Sequence, residues 1–289
     1  MVDIRDLYKI GIGTRKINYQ DIDSDMPGLM HSYYSGQNYL SLYMLYDNGQ
    51  VVRSMKSFVD KVDRDKMFIN TNLEPMIEKV EDVERQLDEY LEILGLDYVD
   101  SLQIHSYAFA KMPLGEIYKE IKRLVDIGKV RYIGVSNTNL EQLKEIEEVV
   151  KVDFFEGVYN LECKIYEDNG MLQHCLDNDI IFMCYQPLRR NRTAMRNYEV
   201  LVKLAEKYGK TQNQILLNWI TKEKSIFPLI KSTNIERIDE NLAAFDFEMS
   251  KEDYQKLNEF RCKQFDDVEI DWYCCNGGVT IDQLANQFD

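Results

Sequence analysis

The chain lacks several features that mark other classes of protein, and the first of these is positive charge. Lysine and arginine together number 35 against 50 aspartates and glutamates, so the formal net charge is −15 at pH 7. Nucleic acids and anionic membrane surfaces repel such a protein, and we expect neither as a partner. A small anion bound in a local basic pocket is still compatible with this charge.

Long apolar runs and organised cysteines are also missing. No uninterrupted apolar stretch approaches the roughly 18 residues of a membrane span, and residues 1–9, MVDIRDLYK, contain no apolar core of a secretory signal. The six cysteines are too sparse for a disulfide scaffold, and the adjacent Cys274 and Cys275 lack the spacing of zinc or iron–sulfur ligands. We therefore expect a cytoplasmic protein without a metal site.

Short apolar runs that read as strands alternate with segments of helical period. The predicted strands are residues 9–12, 39–42, 66–70, 99–104, 130–135, 157–161, 180–184 and 225–230. The predicted helical segments include residues 80–95, 113–129, 139–150 and 197–220, and the first two stop at Gly95 and Gly128. This alternation predicts the α/β class with a parallel sheet.

The domain organisation follows from length and from the absence of a linker. A chain of 289 residues fits either two ordinary domains or one large barrel, and no Gly/Ser/Pro-rich linker divides it. We predict a single (α/β)8 TIM barrel over residues 1–289, with residues 263–289 forming a C-terminal loop extension over or beside it. The stretch 18–36 is longer than a tight connection and resembles an insertion at the pocket rim. Trp272 and Tyr273 either help to set specificity or belong to a docking segment.

In a parallel barrel the chemistry lies at the carboxyl ends of the strands, so the residues there are the candidate site. Tyr46 ends the run YLSLYMLYDN before an Asp-Asn-Gly turn signal, and it is either a proton donor or a packing tyrosine. His105 follows the fourth strand, where a structural hydrogen-bonded histidine is the alternative. Tyr185 follows the seventh strand and either offers a flat face to a ring ligand or packs in the core.

Two more strand ends carry polar groups. Ser136 and Asn137 follow the fifth strand, although Asn137 or Asn139 equally suits the N-cap of the next helix. The eighth strand ends at Lys231, and Ser232, Thr233 and Asn234 lead into a helix that carries Arg237 and Asn241. A helix N-terminus beside two cations predicts an anion pocket, and a solvated basic cluster is the alternative.

Four stretches resemble the aldo-keto reductases in order and spacing, between about residue 10 and residue 260. These are IGIGT, LGLDYVDSLQIHSY, GKVRYIGVSNTNLEQL and KSTNIERIDENLAAFDFEMSKED. The resemblance implies a barrel that reduces carbonyl groups of small molecules with NADPH. It implies that Lys231, Ser232, Thr233, Asn234 and Arg237 hold the 2′-phosphate and that Glu240 and Asn241 lie by the adenine. It further implies nicotinamide contacts from Ser136, Asn137 and Tyr185, with Gly13, Thr14 and Leu188 also in the cofactor site. Asn160 stands where the family has a glutamine, one methylene longer.

The resemblance also implies a catalytic tetrad of Asp, Tyr, Lys and His, of which this sequence keeps two members. The family's second strand reads G-x-N-x-x-D-T-A-x-x-Y-G, and GQNYLSLYMLYD matches its glycine, asparagine and tyrosine. Tyr46 therefore falls at the tyrosine and His105 at the histidine, whereas Ser41 stands at the aspartate. The third strand closes with Thr71-Asn72, so Asn72 stands at the lysine.

The substitutions at the aspartate and lysine positions affect proton transfer by Tyr46, and we expect them to leave cofactor binding unchanged. A tyrosine of pKa about 10 is a weak acid–base group near neutral pH unless a cation tunes it, and positioned acid–base catalysis contributes about 10²–10⁴-fold. Losing both charged partners together removes the ion pair without stranding a buried charge. Three functions stay open: an NADP-dependent oxidoreductase with an altered proton relay, a redox-neutral enzyme that keeps the cofactor, and a catalytically silent binding or sensing barrel. We expect a monomer or a small homo-oligomer.

Overall fold

A computed structural model describes residues 1–74, 77–104, 111–222 and 226–261. Within these ranges, parallel strands close into a barrel in the order β1 to β8, and β8 pairs back with β1. The strands are β1 (Gly11–Gly13), β2 (Tyr39–Tyr43), β3 (Phe68–Leu73), β4 (Val99–Ile104), β5 (Val130–Ser136), β6 (Phe154–Val158), β7 (Ile181–Tyr185) and β8 (Ile226–Ile230). The predicted (α/β)8 barrel is therefore confirmed. His105, Trp272, Tyr273 and the predicted extension 263–289 lie outside the described residues.

Helices surround the barrel and connect its strands. They are α1 (Ile22–Tyr34), α2 (Gln50–Val59), α3 (Glu81–Leu94), α4 (Leu114–Asp126), α5 (Leu140–Glu147), α6 (Ile165–Asp168), α7 (Met171–Asp177), α8 (Arg192–Met195), α9 (Glu199–Tyr208), α10 (Gln212–Ile220), α11 (Ile235–Leu242) and α12 (Lys251–Glu259). Short 3-10 segments lie at Ile4–Asp6, Tyr46–Gly49, Arg64–Lys66, Arg189–Asn191 and Ala243–Phe245.

The apolar side chains of the strands divide between two layers. Outward residues such as Leu40, Leu42 and Ile69 are fully buried against the helices. Inward residues at the amino end of the barrel are mostly aromatic and close it from below: Tyr39, Phe68, Phe154 and Phe227. The rings of Tyr39 and Phe68 stack with centroids 5.4 Å apart. This packed floor leaves the carboxyl end of the barrel as the place for a site.

Two strand predictions were wrong in position. The sixth strand was predicted at 157–161 and is Phe154–Val158, because Glu156 interrupts the apolar run that would have marked it. Beyond it, Asn160 and Cys163 form a local turn with backbone hydrogen bonds in both directions. The third strand was predicted at 66–70 and is Phe68–Leu73, because Asp63 caps a 3-10 turn at Arg64–Lys66. The fourth strand is at its predicted position.

Two helical predictions also need correction. The stretch 18–36 is not an insertion at a pocket rim, because most of it is α1, the helix that joins β1 to β2. Pro27 and Gly28 inside α1 weaken its helical pattern in the sequence. The segment 197–220 is two helices, since Gly209 adopts a left-handed conformation that ends α9 and Thr211 begins α10 with a capping box.

Candidate active site

Ser41 and Asn72, at the positions of the family's aspartate and lysine, lie on neighbouring strands and share the inner face of the barrel. In the register of β2 and β3, Ser41 pairs with Asn70 and Tyr43 pairs with Asn72. The Ser41 carbonyl accepts a hydrogen bond from Thr14 Oγ1 at 2.7 Å, which ties the end of β1 to β2. The two positions implied by resemblance are therefore brought together, and both carry neutral side chains.

Tyr46 lies three residues beyond the end of β2 and begins the turn Tyr46–Gly49. Asp47, Asn48 and Gly49 have φ values of 50°, 52° and 79°, so the predicted Asp-Asn-Gly turn is confirmed. The Tyr46 ring meets the edge of Tyr43 with centroids 5.2 Å apart, and the residue is half-buried.

The electrostatic surroundings of Tyr46 keep its hydroxyl neutral. Burial raises the pKa of Tyr46 to about 12, the positive charges of Arg15 and Arg190 lower it in part, and the carboxyl of Glu156 raises it further. At neutral pH this side chain is therefore a hydrogen-bond donor and not a phenolate.

The side chain of Asn72 is held by hydrogen bonds on both of its polar atoms. Its Nδ2 donates to the Leu42 carbonyl at 3.3 Å, and its Oδ1 accepts from Gln103 Nε2 at 2.7 Å. Tyr90 on α3 fixes the backbone at the same level, because its hydroxyl donates to the Asn72 carbonyl and accepts from the Met44 amide, each at 2.7 Å. Asn72 is thus a rigid, uncharged group.

Sequence reasoning missed a buried carboxyl group beside these residues. Glu156 on β6 is 6% exposed and accepts a hydrogen bond from Gln103 Nε2 at 2.6 Å. Burial raises the pKa of Glu156 to about 7, and the Gln103 hydrogen bond lowers it in part. The signal in the sequence was an acid inside FFEGV, a run otherwise suited to a buried strand.

Polar groups continue one layer deeper in the barrel. On the inner face, Ser101 Oγ of β4 donates to Asn70 Oδ1 of β3 at 2.7 Å. Branched apolar residues ordinarily fill such barrels. The β3 to β6 side of this interior is therefore unusually polar.

The last residues of β5 and β7, together with Asn137, form one hydrogen-bonded group at the barrel mouth. Tyr185 Oη donates to Asn137 Oδ1 at 2.6 Å, and Asn137 Nδ2 donates to Ser136 Oγ at 3.0 Å. Asn137 has φ 53° and lies outside the helix, whereas Asn139 caps α5 with a capping box. The N-cap alternative therefore holds for Asn139 only.

Other implied cofactor residues are engaged in local structure. Asn160 Oδ1 accepts from the amides of Glu162 and Cys163 at 3.0 and 2.9 Å, and its Nδ2 donates to the Gln186 carbonyl at 3.3 Å. Leu188 is half-buried, and it packs against buried residues of the core. The shorter amide at position 160 thus organises its own turn in this structure.

The loop after β8 brings two cations to the start of α11. Lys231 and Arg237 are exposed, and neither forms an ion pair with a residue in the described ranges. Asn234 caps the helix by accepting from the Arg237 amide at 2.9 Å. Thr233 Oγ1 donates to Asp25 Oδ1 on α1 at 2.6 Å, so an acid lies beside this loop.

The implied adenine residues lie further along α11. Glu240 accepts from Thr211 Oγ1 at 2.7 Å, and both Glu240 and Asn241 are half-buried. Ser232 and Gly13 are also half-buried, and a Cβ built on Gly13 would lie 3.4 Å from the Lys231 amide nitrogen. The ends of β1 and β8 thus meet closely beneath this loop.

Metal and membrane signals are both missing from the part of the chain that the structure describes. No group of three or more His, Cys, Asp or Glu side chains there could hold a metal ion. Within the same ranges, no helix is long and apolar enough to cross a membrane.

The described residues thus form a closed parallel barrel with a tyrosine and amide groups at its carboxyl end, and with Lys231 and Arg237 near the end of its last strand. The chain belongs to the aldo/keto reductase family, whose model matches residues 9–261. The "NADPH-dependent alpha-keto amide reductase" of Saccharomyces cerevisiae is 28% identical, over 86% of this chain and 85% of the yeast protein. Human "Aldo-keto reductase family 1 member A1" is 29% identical, over 86% and 84% of the two chains. A thermostable aldo-keto reductase crystallised with the inhibitor epalrestat superposes with a TM-score of 0.83 at 26% identity, covering 88% of this chain and 95% of that one.

Proposed function

We propose that this protein reduces a carbonyl group of a small molecule with NADPH, through a proton relay that works without a lysine–aspartate pair. The observation that carries the proposal is the neutral hydroxyl of Tyr46 at the mouth of a barrel whose last strand is followed by Lys231 and Arg237, two cations without an ion pair among the described residues. The yeast relative, whose name includes NADPH dependence and reduction of a ketone, supports the same assignment.

The residues at the mouth fit a dinucleotide with an extra phosphate. Exposed Lys231 and Arg237 at the N-terminus of α11 would hold the 2′-phosphate, because their charges are not used by any described acid. The Tyr185 ring, fixed through its hydroxyl by Asn137, would pack on the nicotinamide, with Ser136 beside its carboxamide. NADPH, when bound, supplies the hydride that reduces the carbonyl carbon.

Tyr46 would supply the proton. Its hydroxyl donates a hydrogen bond to the carbonyl oxygen and transfers its proton as the alcohol forms, and water then restores that proton to the phenolate. Overall, one carbonyl compound, one NADPH and one proton give one alcohol and one NADP⁺. Since the described charges that lower the pKa of Tyr46 are those of Arg15 and Arg190 and not of a lysine, we expect this step to be slower than in a family member with the full tetrad. His105 would be the second hydrogen-bond donor, as the resemblance implies.

A second candidate function is a barrel that binds the cofactor without net reduction, either as a redox-neutral enzyme or as a silent sensor. Two observations favour it: the raised pKa of Tyr46, and the side chain of Asn72 held by hydrogen bonds on both polar atoms where the family has a lysine. This candidate predicts bound NADPH that no carbonyl compound consumes.

Calorimetry with NADPH and NADH, followed by NADPH oxidation assays with aldehydes, ketones and α-dicarbonyls, tests both functions. We expect NADPH to bind more tightly than NADH, and Tyr46→Phe to keep that binding while lowering turnover by about 10²–10⁴-fold. Tyr34→Phe, which removes a hydroxyl from a tyrosine that is 77% exposed, is the matched control and should change neither. Binding without oxidation of any compound would favour the second candidate, and no binding of either nucleotide would exclude both.

Three further expectations belong to this proposal: a small-molecule substrate, a monomeric or small homo-oligomeric state, and a cytoplasmic location. They follow from composition and family resemblance, and size-exclusion chromatography with light scattering would measure the oligomeric state.

A further inference from the structure

Glu156 is a buried acid that the proposed chemistry does not yet use. It lies on the inner face of β6, where Ser136 of β5 and Met183 of β7 are its register partners. Its carboxyl group joins a chain of hydrogen bonds that runs from Glu156 Oε2 through Gln103 Nε2 to Asn72 Oδ1, with distances of 2.6 and 2.7 Å. This chain crosses the barrel interior from β6 to β3 and ends at the position where the family carries its lysine.

The carboxyl group of Glu156 has no counter-ion in the part of the chain that the structure describes. Among residues 1–74, 77–104, 111–222 and 226–261, no lysine, arginine or histidine forms an ion pair with Glu156. A buried carboxylate without a cation is costly, so the protonated form is favoured in such a place. Polar atoms near it in the barrel also lack partners in the described structure, namely Gln103 Oε1 and Asn70 Nδ2.

We propose that Glu156, in its protonated form, is the positioning residue that replaces the lysine–aspartate pair of this site. It does so by holding Asn72 through Gln103 and by keeping negative charge out of the barrel when Tyr46 gives up its proton. This inference rests on the proposed function, because it concerns the proton that Tyr46 delivers.

The physical reason is the sign of the charge near Tyr46. When Tyr46 transfers its proton, a phenolate forms within the field of Glu156, whose carboxyl group already raises the pKa of Tyr46. A neutral Glu156 leaves one negative charge in this region, whereas an ionised Glu156 leaves two, and their repulsion is strong in a medium of low dielectric constant. Protonation of Glu156 therefore favours reduction, and the proton on Glu156 stays in place throughout.

Two described titratable groups that feel the charge of Glu156 do not change charge near neutral pH. Tyr39 on β2 and Cys184 on β7 both feel its charge, and burial raises the pKa of each well above its usual value. Arg15 and Arg190, which act on Tyr46, stay positive. The imidazole of His105 is a further group whose residue type titrates near neutral pH, and the experiment must separate it from Glu156.

The first test compares pH profiles of carbonyl reduction for the wild type, Glu156→Gln, Glu156→Asp and His105→Gln. We expect the wild-type kcat to fall about tenfold between roughly pH 6 and pH 8, and the KM for NADPH to stay constant. Glu156→Gln keeps the hydrogen bond but cannot ionise, so its kcat should stay high and flat. Glu156→Asp keeps an ionisable carboxyl group, so its kcat should again fall as the pH rises. The proposal is overturned if Glu156→Gln retains the wild-type slope, or if the slope disappears only in His105→Gln.

The second test needs no activity. In protein labelled with ¹³C at tyrosine Cζ, Tyr46→Phe assigns the Tyr46 resonance. We expect that resonance to shift with a midpoint near pH 7 in the wild type and to stay constant in Glu156→Gln. A resonance that moves identically in both proteins would refute the link between the two residues. If the shift appears as expected but no carbonyl compound is reduced, the coupling stands and the proposed reductase function fails.

Discussion

Asp25 places a negative charge beside the loop that carries the proposed phosphate-binding residues. Its Oδ1 accepts from Thr233 Oγ1 at 2.6 Å and its Oδ2 accepts from the Asn18 amide at 2.8 Å, so it is held against the loop that begins with Lys231. A carboxylate near a bound 2′-phosphate repels it, and because NADH lacks that phosphate, the repulsion weakens the binding of NADPH in particular.

Replacing Asp25 with asparagine should therefore tighten NADPH binding. We expect the Kd for NADPH to fall by about threefold to tenfold at low salt, which corresponds to roughly 1 kcal/mol. The Kd for NADH should not change, and the gain should shrink as ionic strength rises. Asp23→Asn, which removes an exposed acid from the same helix, is the matched control. Calorimetric titration of the wild type and both variants with each nucleotide measures these constants, and equal gains for NADPH and NADH in Asp25→Asn would show that no 2′-phosphate lies near Asp25.

For single residues, the sequence predicted the candidate site where a linear motif fixed the register of a strand. Tyr46 and Ser41 could be assigned because the glycine and asparagine before β2 fix the numbering of that strand, and Asn72 could be assigned from the Thr71-Asn72 pair in the third strand. Glu156 and Gln103 belong to different strands, and only closure of the barrel brings them into contact. A sequence pattern within one strand carries no information about a contact between side chains of two distant strands.

Among the elements, α1 controls the position of the loop that carries the predicted phosphate residues. Gly28 faces this loop so closely that a Cβ built there would lie 1.9 Å from the Thr233 carbonyl oxygen. The helix and the loop therefore meet backbone to backbone, which only a residue without a side chain allows.

Gly28→Ala should force α1 and the loop apart. We expect the free energy of unfolding to fall by about 1–3 kcal/mol, as overpacked sites do, and NADPH binding to weaken. Gly115→Ala in α4 is the matched control, since a Cβ there meets only Val149 at 3.7 Å. That variant should be neutral or stabilised by roughly 0.5–1 kcal/mol through helix propensity. Denaturant unfolding of both variants gives the comparison, and equal stability of the two would contradict close packing at Gly28.

The two mispredicted helical segments contain a proline or glycine that changes the local helical pattern. Pro27 and Gly28 weaken the helical pattern of α1 in the sequence, but the close packing of this helix on the loop before α11 requires the glycine. Gly209 sits inside what looks like one long helical pattern, and its left-handed conformation lets α9 and α10 turn apart. By contrast, α3 has an apolar stripe and a glycine stop in agreement, so its bounds could be predicted within a residue.

For the whole molecule, the alternation of strands and helices was enough to predict the barrel, whereas the polarity of its interior was not. The floor of aromatic side chains supplies packing, and the polar layer above it includes Glu156, an acid without a counter-ion among the described residues. Such an acid couples the folding of the whole protein to pH, because its pKa differs between the folded and unfolded states.

The sign of that coupling follows from the raised pKa of Glu156, about 7 when folded against 4.5 for the unperturbed group. The folded protein binds more protons than the unfolded chain between these values, so the stabilising contribution is complete below pH 4.5 and is lost as pH rises through 7. The loss amounts to roughly 3 kcal/mol. Glu74 and Asp153 also have raised pKa values, so they add slopes of the same sign, and only a difference between variants isolates Glu156.

Glu156→Gln should therefore be as stable as the wild type near about pH 4.5 and more stable by up to roughly 3 kcal/mol near pH 8. Urea unfolding at a series of pH values, at constant ionic strength, measures the two curves. Gln103→Leu is a useful third protein: it leaves the carboxyl group without its donor, so the fall in stability with rising pH should become steeper. Parallel curves for the wild type and Glu156→Gln would mean that Glu156 does not titrate in this range, and the barrel interior would then have to hold a permanently ionised carboxylate.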